Sequence, residues 1–184
     1  METNQLPVQY ITAQMDSVRK ALKSGCRWIC WQGKDEEEAK IVVELCRKYG
    51  ATCVLVDRPE WVEATQADGV HLTDISAVRS VRQQLGEQPL IGGTATTLEE
   101  IDALRKATAD YVHYAVYDAD NLAGTMAYLT AAEQHIYAQD YALPLCLAGE
   151  IGAEKIPALV AEGVTAIATS ATDVYPSKSW WQIF

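Results

Sequence analysis

Eight short apolar runs alternate with segments of helical periodicity along this chain, and this alternation constrains the fold more than any other feature. Each run has the length of a buried strand and is too short to span a membrane. Alternating strands and helices are typical of a parallel sheet that is covered by helices. The predicted strands are residues 8–12, 27–31, 52–56, 69–72, 90–92, 111–114, 145–148 and 166–169.

The segments between these runs have the patterns of amphipathic helices. Residues 36–48 carry a broad apolar stripe and end at Gly50, a residue suited to a helix C-terminus. Residues 97–100 have the Thr-x-x-Glu spacing of a capping box. Further helices are predicted over residues 16–23, 76–85, 125–138 and 153–162, with a shorter helical turn around Trp61.

Eight strands with intervening helices predict an α/β fold, a single compact (β/α)8 TIM barrel, because doubly wound sheets more often contain five or six strands. At 184 residues the chain is long enough for one sizeable core and too short for two ordinary domains with a linker. We therefore predict one domain over residues 1–184. Its last helix is truncated, and Trp180, Trp181 and Phe184 in the tail are expected to plug a barrel end or to form a subunit contact.

The net charge and the first residues of the chain limit which partners the protein can have. A formal net charge of −10 argues against nucleic acid, which is held by clustered Lys and Arg, but a local pocket can still bind a small phosphorylated ligand. The first residues have no basic or apolar signal region, and no later stretch reaches the length of a membrane span. We expect a cytoplasmic protein with no membrane or nucleic-acid partner. The odd number of cysteines, without a CxxC pair, predicts buried reduced thiols.

Polar residues follow the predicted strands, at the positions where a barrel of this kind binds its ligand. Several of them are poorly suited to a hydrophobic core. They are Gln32, Lys34, Asp57, Arg58, His71, Asp74, Thr94, His113, Gly149, Glu150, Thr169 and Ser170.

Two segments at the ends of strands seven and eight have the composition of a phosphate site. Residues 148–152 are glycine-containing and open a helix, and residues 168–170 end in Thr169 and Ser170. Glycine lets an anion approach the backbone, and N–H groups at a helix start point towards it. We expect phosphate at the backbone of Gly149, Glu150, Thr169 and Ser170; the alternative is that the glycines merely form turns.

Several single residues have two interpretations. Lys34 and Asp57 are either ligand contacts or a structural ion pair between neighbouring strand ends. His71 either contacts the ligand or is a hydrogen-bonded packing residue. Strand alternation aims His113 either into the barrel or into the helix layer. His135 lies on a predicted helix and is expected at the surface.

Motifs along the chain resemble those of the thiamine phosphate synthase family and its thiazole tautomerase relatives. Residues 67–72, Ala-Asp-Gly-Val-His-Leu, match a segment of that family without change, and Val56-Asp57-Arg58 resembles its Asn-Asp-Arg motif. Similar segments occur in the family's order over nearly the whole chain: Tyr10-Ile-Thr, Ile91-Gly-Gly-Thr94, Ala109-Asp-Tyr111 and Ala148-Gly-Glu-Ile151.

The resemblance implies a reaction. The family joins hydroxymethylpyrimidine diphosphate to thiazole phosphate: pyrophosphate leaves with the help of Mg²⁺ and cationic side chains, and the thiazole nitrogen captures the resulting cation. It implies a homodimer and Mg²⁺ held by Asp57 and Asp74. Lys34, Asp57, His71 and His113 are the expected catalytic residues, and the expected ligand-binding residues are Gln32, Arg58, Thr94, Gly149, Glu150, Thr169 and Ser170.

The chain also departs from the family pattern. Lys34 is retained, but Cys30 and Gln32 stand at the positions of a glutamine and an arginine. Val56 replaces the metal-binding asparagine, and the later metal-binding aspartate falls at Ser76 unless a register shift recruits Asp74.

The largest departure follows the sixth strand. The family's Thr-x-Thr-Lys loop, which grips pyrophosphate, has no counterpart, and residues 117–122 are short and acidic. The functional histidine of the tautomerases falls at Val116, with His113 close by on the same strand.

Three hypotheses about function follow. The chain is a thiamine phosphate synthase whose activity is reduced by these replacements, or an isomerase of the tautomerase type that uses His71, His113 or Asp57 as acid–base groups. The third hypothesis is a non-catalytic barrel that binds a phosphate ligand or a partner subunit.

Overall fold

The structure, a computed structural model, describes residues 6–175. Eight parallel strands close into a barrel in which each strand pairs with its neighbours in chain order and the last pairs with the first. This confirms the predicted barrel. The strands are β1 (Val8–Thr12), β2 (Trp28–Trp31), β3 (Thr52–Val56), β4 (Gly69–Leu72), β5 (Leu90–Ala95), β6 (Tyr111–Tyr114), β7 (Leu145–Gly149) and β8 (Ile167–Thr169).

Helices connect the strands and cover the outside of the barrel. Short 3₁₀ turns at Pro59–Trp61, Ile75–Ala77 and Ala153–Lys155 precede the third, fourth and seventh helices. The helices are α1 (Met15–Lys23), α2 (Glu36–Lys48), α3 (Val62–Thr65), α4 (Val78–Leu85), α5 (Leu98–Lys106), α6 (Leu122–Ala138) and α7 (Ile156–Ala161).

The helix starts follow from local chemistry. The Asp35 carboxylate accepts a hydrogen bond from the Glu38 N–H at 2.9 Å and caps α2. The predicted capping box of α5 is confirmed, because the Thr97 hydroxyl accepts the Glu100 N–H at 3.2 Å while the Glu100 carboxylate accepts the Thr97 N–H. These caps satisfy N–H groups that have no partner within the helix.

Some element boundaries differ from the prediction. β5 continues to Ala95, since Gly93 and Thr94 pair in register with β6 although glycine has a low strand propensity. α6 begins earlier, at Leu122, because the Asn121 side chain accepts the Gly124 N–H at 2.9 Å. The 3₁₀ turns delay the starts of α4 and α7.

The strands have two differently filled faces. Residues that point outward, such as Ile29, Leu55 and Val70, are fully buried under the helices and form the main hydrophobic core. Alternation along each strand turns the intervening residues into the barrel. That interior is mixed: His71 and His113 lie within it, and Cys146, Ala148 and Ala168 form a small apolar cluster on the same face of the strands. All five cysteines are buried free thiols.

The amino ends of β1, β2, β7 and β8 enclose a mostly apolar cavity of about 510 Å³. Tyr175 forms part of its wall and packs edge-on against Tyr10, with ring centroids 5.4 Å apart. The predicted role of Trp180, Trp181 and Phe184 falls outside the described residues. Within residues 6–175, no helix combines the length and apolarity that crossing a membrane requires.

Candidate functional site

A cluster of hydrogen-bonded rings occupies the barrel interior. The imidazoles of His71 and His113 are stacked, with centroids 3.9 Å apart. His71 Nδ1 lies 3.2 Å from the Tyr111 hydroxyl, and its Nε2 lies 2.9 Å from Thr94 Oγ1. His113 Nε2 lies 2.6 Å from Gln9 Oε1. Of the two predicted orientations for His113, the structure therefore shows the one that points into the barrel.

Burial keeps both histidines uncharged. It lowers the pKa of His71 to about 4, and the nearby Asp57 carboxylate offsets only part of this effect. Burial, reinforced by His71, also lowers the pKa of His113 well below its usual value. Near pH 7 each ring is a neutral imidazole with one donor and one acceptor. The cluster can direct hydrogen bonds towards a ligand, but it brings no positive charge to bind phosphate.

Gly92 makes room for the cluster. A Cβ atom at this position would lie 2.1 Å from Cζ of the Tyr111 ring, so only glycine admits the ring in its observed place. Trp28 packs edge-on against the same ring, with centroids 5.3 Å apart. Gly92 on the neighbouring strand β5 and Trp28 on β2, across the barrel, thus hold Tyr111 beside His71.

Asp57, directly after β3, is held over the following strand. Its Oδ1 and Oδ2 accept hydrogen bonds from the Thr73 N–H and hydroxyl, each at 2.8 Å. Its backbone adopts the left-handed region with φ of 54°, which few residues other than glycine, asparagine and aspartate adopt. Strained backbone of this kind is common at ligand sites.

Asp74 lies one residue after Thr73, at the same end of the barrel. Its Oδ1 accepts the Ser76 N–H at 3.0 Å and the Ser76 hydroxyl at 2.6 Å, and these bonds lower the pKa of the Asp74 carboxyl. Mg²⁺ is usually held by one or two carboxylates, with water and phosphate oxygens completing its shell. Both oxygens of Asp57 and Oδ1 of Asp74 already accept hydrogen bonds within the protein, so an ion held by these two residues would have to share or displace those bonds. Among residues 6–175, no group of three or more His, Cys, Asp or Glu side chains forms a closed metal cage.

The predicted cationic and amide contacts lie at the ends of β2 and β3. Gln32 and Lys34 are exposed, and within the described part of the chain Lys34 forms no ion pair with Asp57. Arg58 is half-buried; its Nη1 donates to the Asp57 carbonyl at 2.8 Å and its guanidinium lies 5.2 Å from the Trp61 ring centroid. Lys34 thus remains an exposed cation, whereas Arg58 is tied to its own loop.

Thr169, at the end of β8, already uses its hydroxyl. The side chain is fully buried, and Oγ1 accepts the N–H groups of Ile151 and Ala171 at 3.0 and 3.1 Å. It also donates to the Ile151 carbonyl at 3.1 Å. These bonds join the loops after β7 and β8, so the Thr169 side chain is a structural clamp.

A carboxylate occupies part of the predicted phosphate site. Asp173 Oδ2 accepts the Ala153 N–H at 3.1 Å, at the start of the helical segment after β7. Glu150 and Ser170 are exposed, and their side chains approach to 3.5 Å. A phosphate in this loop would meet the Glu150 carboxylate beside Ser170, and the Asp173 carboxylate already occupies the Ala153 N–H at the helix start, so repulsion weakens phosphate binding there.

Tyr111, Gln9, Thr73 and Asp173 shape this site, although their sequence positions did not single them out. For Tyr111 and Gln9 a signal existed, because each shares a face of its strand with a residue that points into the barrel. The contacts of Thr73 and Asp173 join separate loops, and no local pattern marks them.

The fold and the polar strand ends define this protein as a (β/α)8 barrel with its candidate ligand face at the carboxyl-terminal mouth. The chain belongs to the thiamine phosphate synthase family, since residues 7–172 match the family described as thiamine monophosphate synthase. This confirms the family that the motifs predicted.

Individual relatives agree with this assignment. The chain is 36% identical to a thiamine-phosphate synthase of Phocaeicola vulgatus, over 94% of this chain and 92% of that protein. It is 33% identical to a thiamine-phosphate synthase of Bacteroides fragilis, over 90% of each. Its fold is similar to a thiamine phosphate pyrophosphorylase of Pyrococcus furiosus, with a TM-score of 0.74, 25% identity, and 94% and 91% of the two chains covered.

Proposed function

We propose that this protein is a thiamine phosphate synthase of low turnover, which joins hydroxymethylpyrimidine diphosphate to thiazole phosphate. The observation that carries the proposal is the mouth formed by β2, β3 and β4. It holds Lys34, Asp57 and Asp74 at the ends of adjacent strands, in a chain that aligns with named synthases over almost its whole length.

In this reaction the bond from the pyrimidine methylene carbon to the diphosphate breaks, and the thiazole nitrogen forms a new bond to that carbon. Negative charge grows on the leaving pyrophosphate, so oriented donors and cations near it lower the barrier. Lys34 supplies a cation and Thr94 a hydroxyl at the mouth. Asp57 and Asp74 would hold Mg²⁺, which neutralises phosphate charge when it is bound.

Turnover is low because several groups that would hold pyrophosphate are absent. Gln32, Val56 and Ser76 replace an arginine and two metal ligands of the family pattern, and residues 117–122 contain no Lys or Arg. Removal of one oriented donor commonly reduces the rate by about 10²–10³, and several losses combine without simple additivity.

The test is steady-state formation of thiamine phosphate from both substrates with Mg²⁺. We expect turnover well below the order of 1 s⁻¹, and its disappearance when Lys34→Ala and Asp57→Ala are combined. Lys40→Ala is the matched control, because Lys40 pairs with Glu36 and Glu37 along α2. A rate on the order of 1 s⁻¹ or more would contradict low turnover, and a residual rate indifferent to the double variant would contradict the site.

Two alternatives predict different outcomes of the same assay. An isomerase would lack synthase turnover and would need an acid–base group in reach of its ligand. His71 Nε2 is bonded to Thr94 and His113 Nε2 to Gln9, so the histidines favour this function only if they act through these partners. A non-catalytic barrel would bind a phosphorylated ligand, measurable by calorimetry, without turnover.

We also propose that the protein is a cytoplasmic homodimer. α6 supports self-association, since it carries no Lys or Arg and exposes Tyr128 and Tyr137 by 60% and 88%. α6 carries a single carboxylate, Glu133, so it adds little to the repulsion between two chains that each carry a formal charge of −10. Sedimentation at micromolar concentration tests the dimer, which a purely monomeric profile would exclude. Cell fractionation tests the location.

A further inference from the structure

Tyr111, His71 and Thr94 form one chain of hydrogen bonds that runs from the barrel interior to its mouth. The His71 ring is buried, both its nitrogens face hydroxyls and its stacking partner is His113, so it is an uncharged imidazole in which one ring nitrogen donates and the other accepts. Both partners are hydroxyls, which can do either. The chain therefore has two possible directions, and each corresponds to one tautomer of His71.

The direction of these hydrogen bonds can be decided by asking which hydroxyl hydrogen, that of Tyr111 or that of Thr94, each direction leaves without an acceptor. If His71 Nδ1–H donated to Tyr111, the Tyr111 hydroxyl hydrogen would need a second acceptor. Tyr111 is buried, and within residues 6–175 its hydroxyl has no hydrogen bond except the one to His71. In the opposite direction the unused hydrogen belongs to Thr94, which is half-buried near the end of β5 and can donate to water or ligand. Buried donors without acceptors are strongly disfavoured.

We infer that Tyr111 is a positioning residue: it donates to His71 Nδ1, keeps the ring proton on Nε2, and thereby leaves the Thr94 hydroxyl hydrogen free to be donated to a ligand at the mouth. His71 Nε2–H occupies the Thr94 oxygen as a donor, so Thr94 presents a hydrogen to an acceptor atom. The ligand class is an oxyanion, and pyrophosphate is the one that the proposed function supplies.

The surroundings of Tyr111 support a directed contact. Its ring packs edge-on against Trp28 and fills the space that the absence of a side chain at Gly92 leaves open. The hydroxyl therefore has little freedom to find another partner. Burial raises the pKa of Tyr111 well above its usual value, which keeps the hydroxyl protonated. Thr94 then serves as a hydrogen-bond donor at neutral pH, although none of the three linked residues, Tyr111, His71 and Thr94, is charged.

The first test is the tautomer itself, measured on the unliganded protein by ¹⁵N NMR of labelled histidine, with His71→Gln to assign the signals. We expect a protonated Nε2 and an unprotonated Nδ1. Tyr111→Phe removes the donor and keeps the ring, and we expect both tautomers to become populated. Tyr114→Phe is the control: it removes a hydroxyl from the outward face of the same strand, with no hydrogen bond to His71.

The second test is affinity for inorganic pyrophosphate by calorimetry, and it rests on the proposed function. Thr94→Val should weaken binding on the order of tenfold. Tyr111→Phe should weaken it by about twofold, in proportion to the His71 tautomer that no longer frees the Thr94 hydrogen, and the double variant should be no weaker than Thr94→Val. Two unrelated losses would instead add, as expected if Tyr111 only stabilised the fold.

The outcomes separate the two proposals. A proton on His71 Nδ1 in the unmodified protein, or a tautomer unchanged by Tyr111→Phe, overturns the inference. Additive losses of pyrophosphate affinity overturn it as well. If the unmodified protein binds no pyrophosphate, the proposed synthase function fails while the tautomer measurement still decides the role of Tyr111.

Discussion

Acidification from pH 7 to about pH 4.5 is expected to destabilise this protein through His71. The ring has a pKa of about 4 in the folded barrel because burial disfavours its charged form, whereas an exposed histidine has a pKa of about 6.5. The unfolded chain therefore takes up a proton first as the pH falls. Stability is fully present above about pH 6.5 and is lost as the pH falls from there towards 4.

The size of this loss follows from the shift. Each pKa unit corresponds to about 1.4 kcal/mol, so His71 alone should lower the free energy of unfolding by roughly 2 kcal/mol between pH 7 and pH 4.5. His113 acts in the same direction, because burial also lowers its pKa.

Urea unfolding of the unmodified protein and of His71→Gln, at both pH values, isolates this effect. Protonation of surface carboxylates destabilises both proteins alike, so the difference between their acid-induced losses reports on His71. We expect that difference to be roughly 2 kcal/mol, and His135→Gln, a change on α6 outside the barrel interior, should not reproduce it. A difference below about 0.5 kcal/mol would show that His71 becomes protonated in the folded protein at pH 4.5. The conclusion that His71 and His113 form a buried uncharged pair would then be wrong.

Two further predictions concern the walls of the site. Gly92→Ala forces a Cβ against the Tyr111 ring and should cost about 1–3 kcal/mol in thermal or urea unfolding. Gly93→Ala meets only the far end of the Leu104 side chain, which can rotate more easily than a ring, and should cost less; equal losses would contradict the role of Gly92. Asp173→Asn removes a negative charge from the helix start after β7 and should strengthen phosphate binding roughly fivefold in calorimetry; unchanged affinity would count against a phosphate site there.

The order of elements and the family were readable from the sequence because both depend on local patterns. Apolar runs of strand length, the Thr97–Glu100 spacing and the Gly50 helix end each act within a few residues, and the structure shows the corresponding elements. The 67–72 segment is likewise local and matched the family directly. The boundary of β5 was missed because glycine weakens the local strand signal, and pairing with β6 overrides it.

The site depended on contacts that no local pattern encodes. From the alternation along β6, His113 could point either into the barrel or towards the helices. Its contacts inside the barrel are with Gln9, which lies 104 residues away in the chain, and with the stacked ring of His71. Thr169 looked like a ligand group at a strand end, yet its hydroxyl is used by the loop after β7. The sequence alone determined that eight strands would bring polar residues to one mouth. Only the tertiary structure decided which of them are free to meet a ligand, because hydrogen bonds between distant segments use up donors and acceptors that sequence position leaves unassigned.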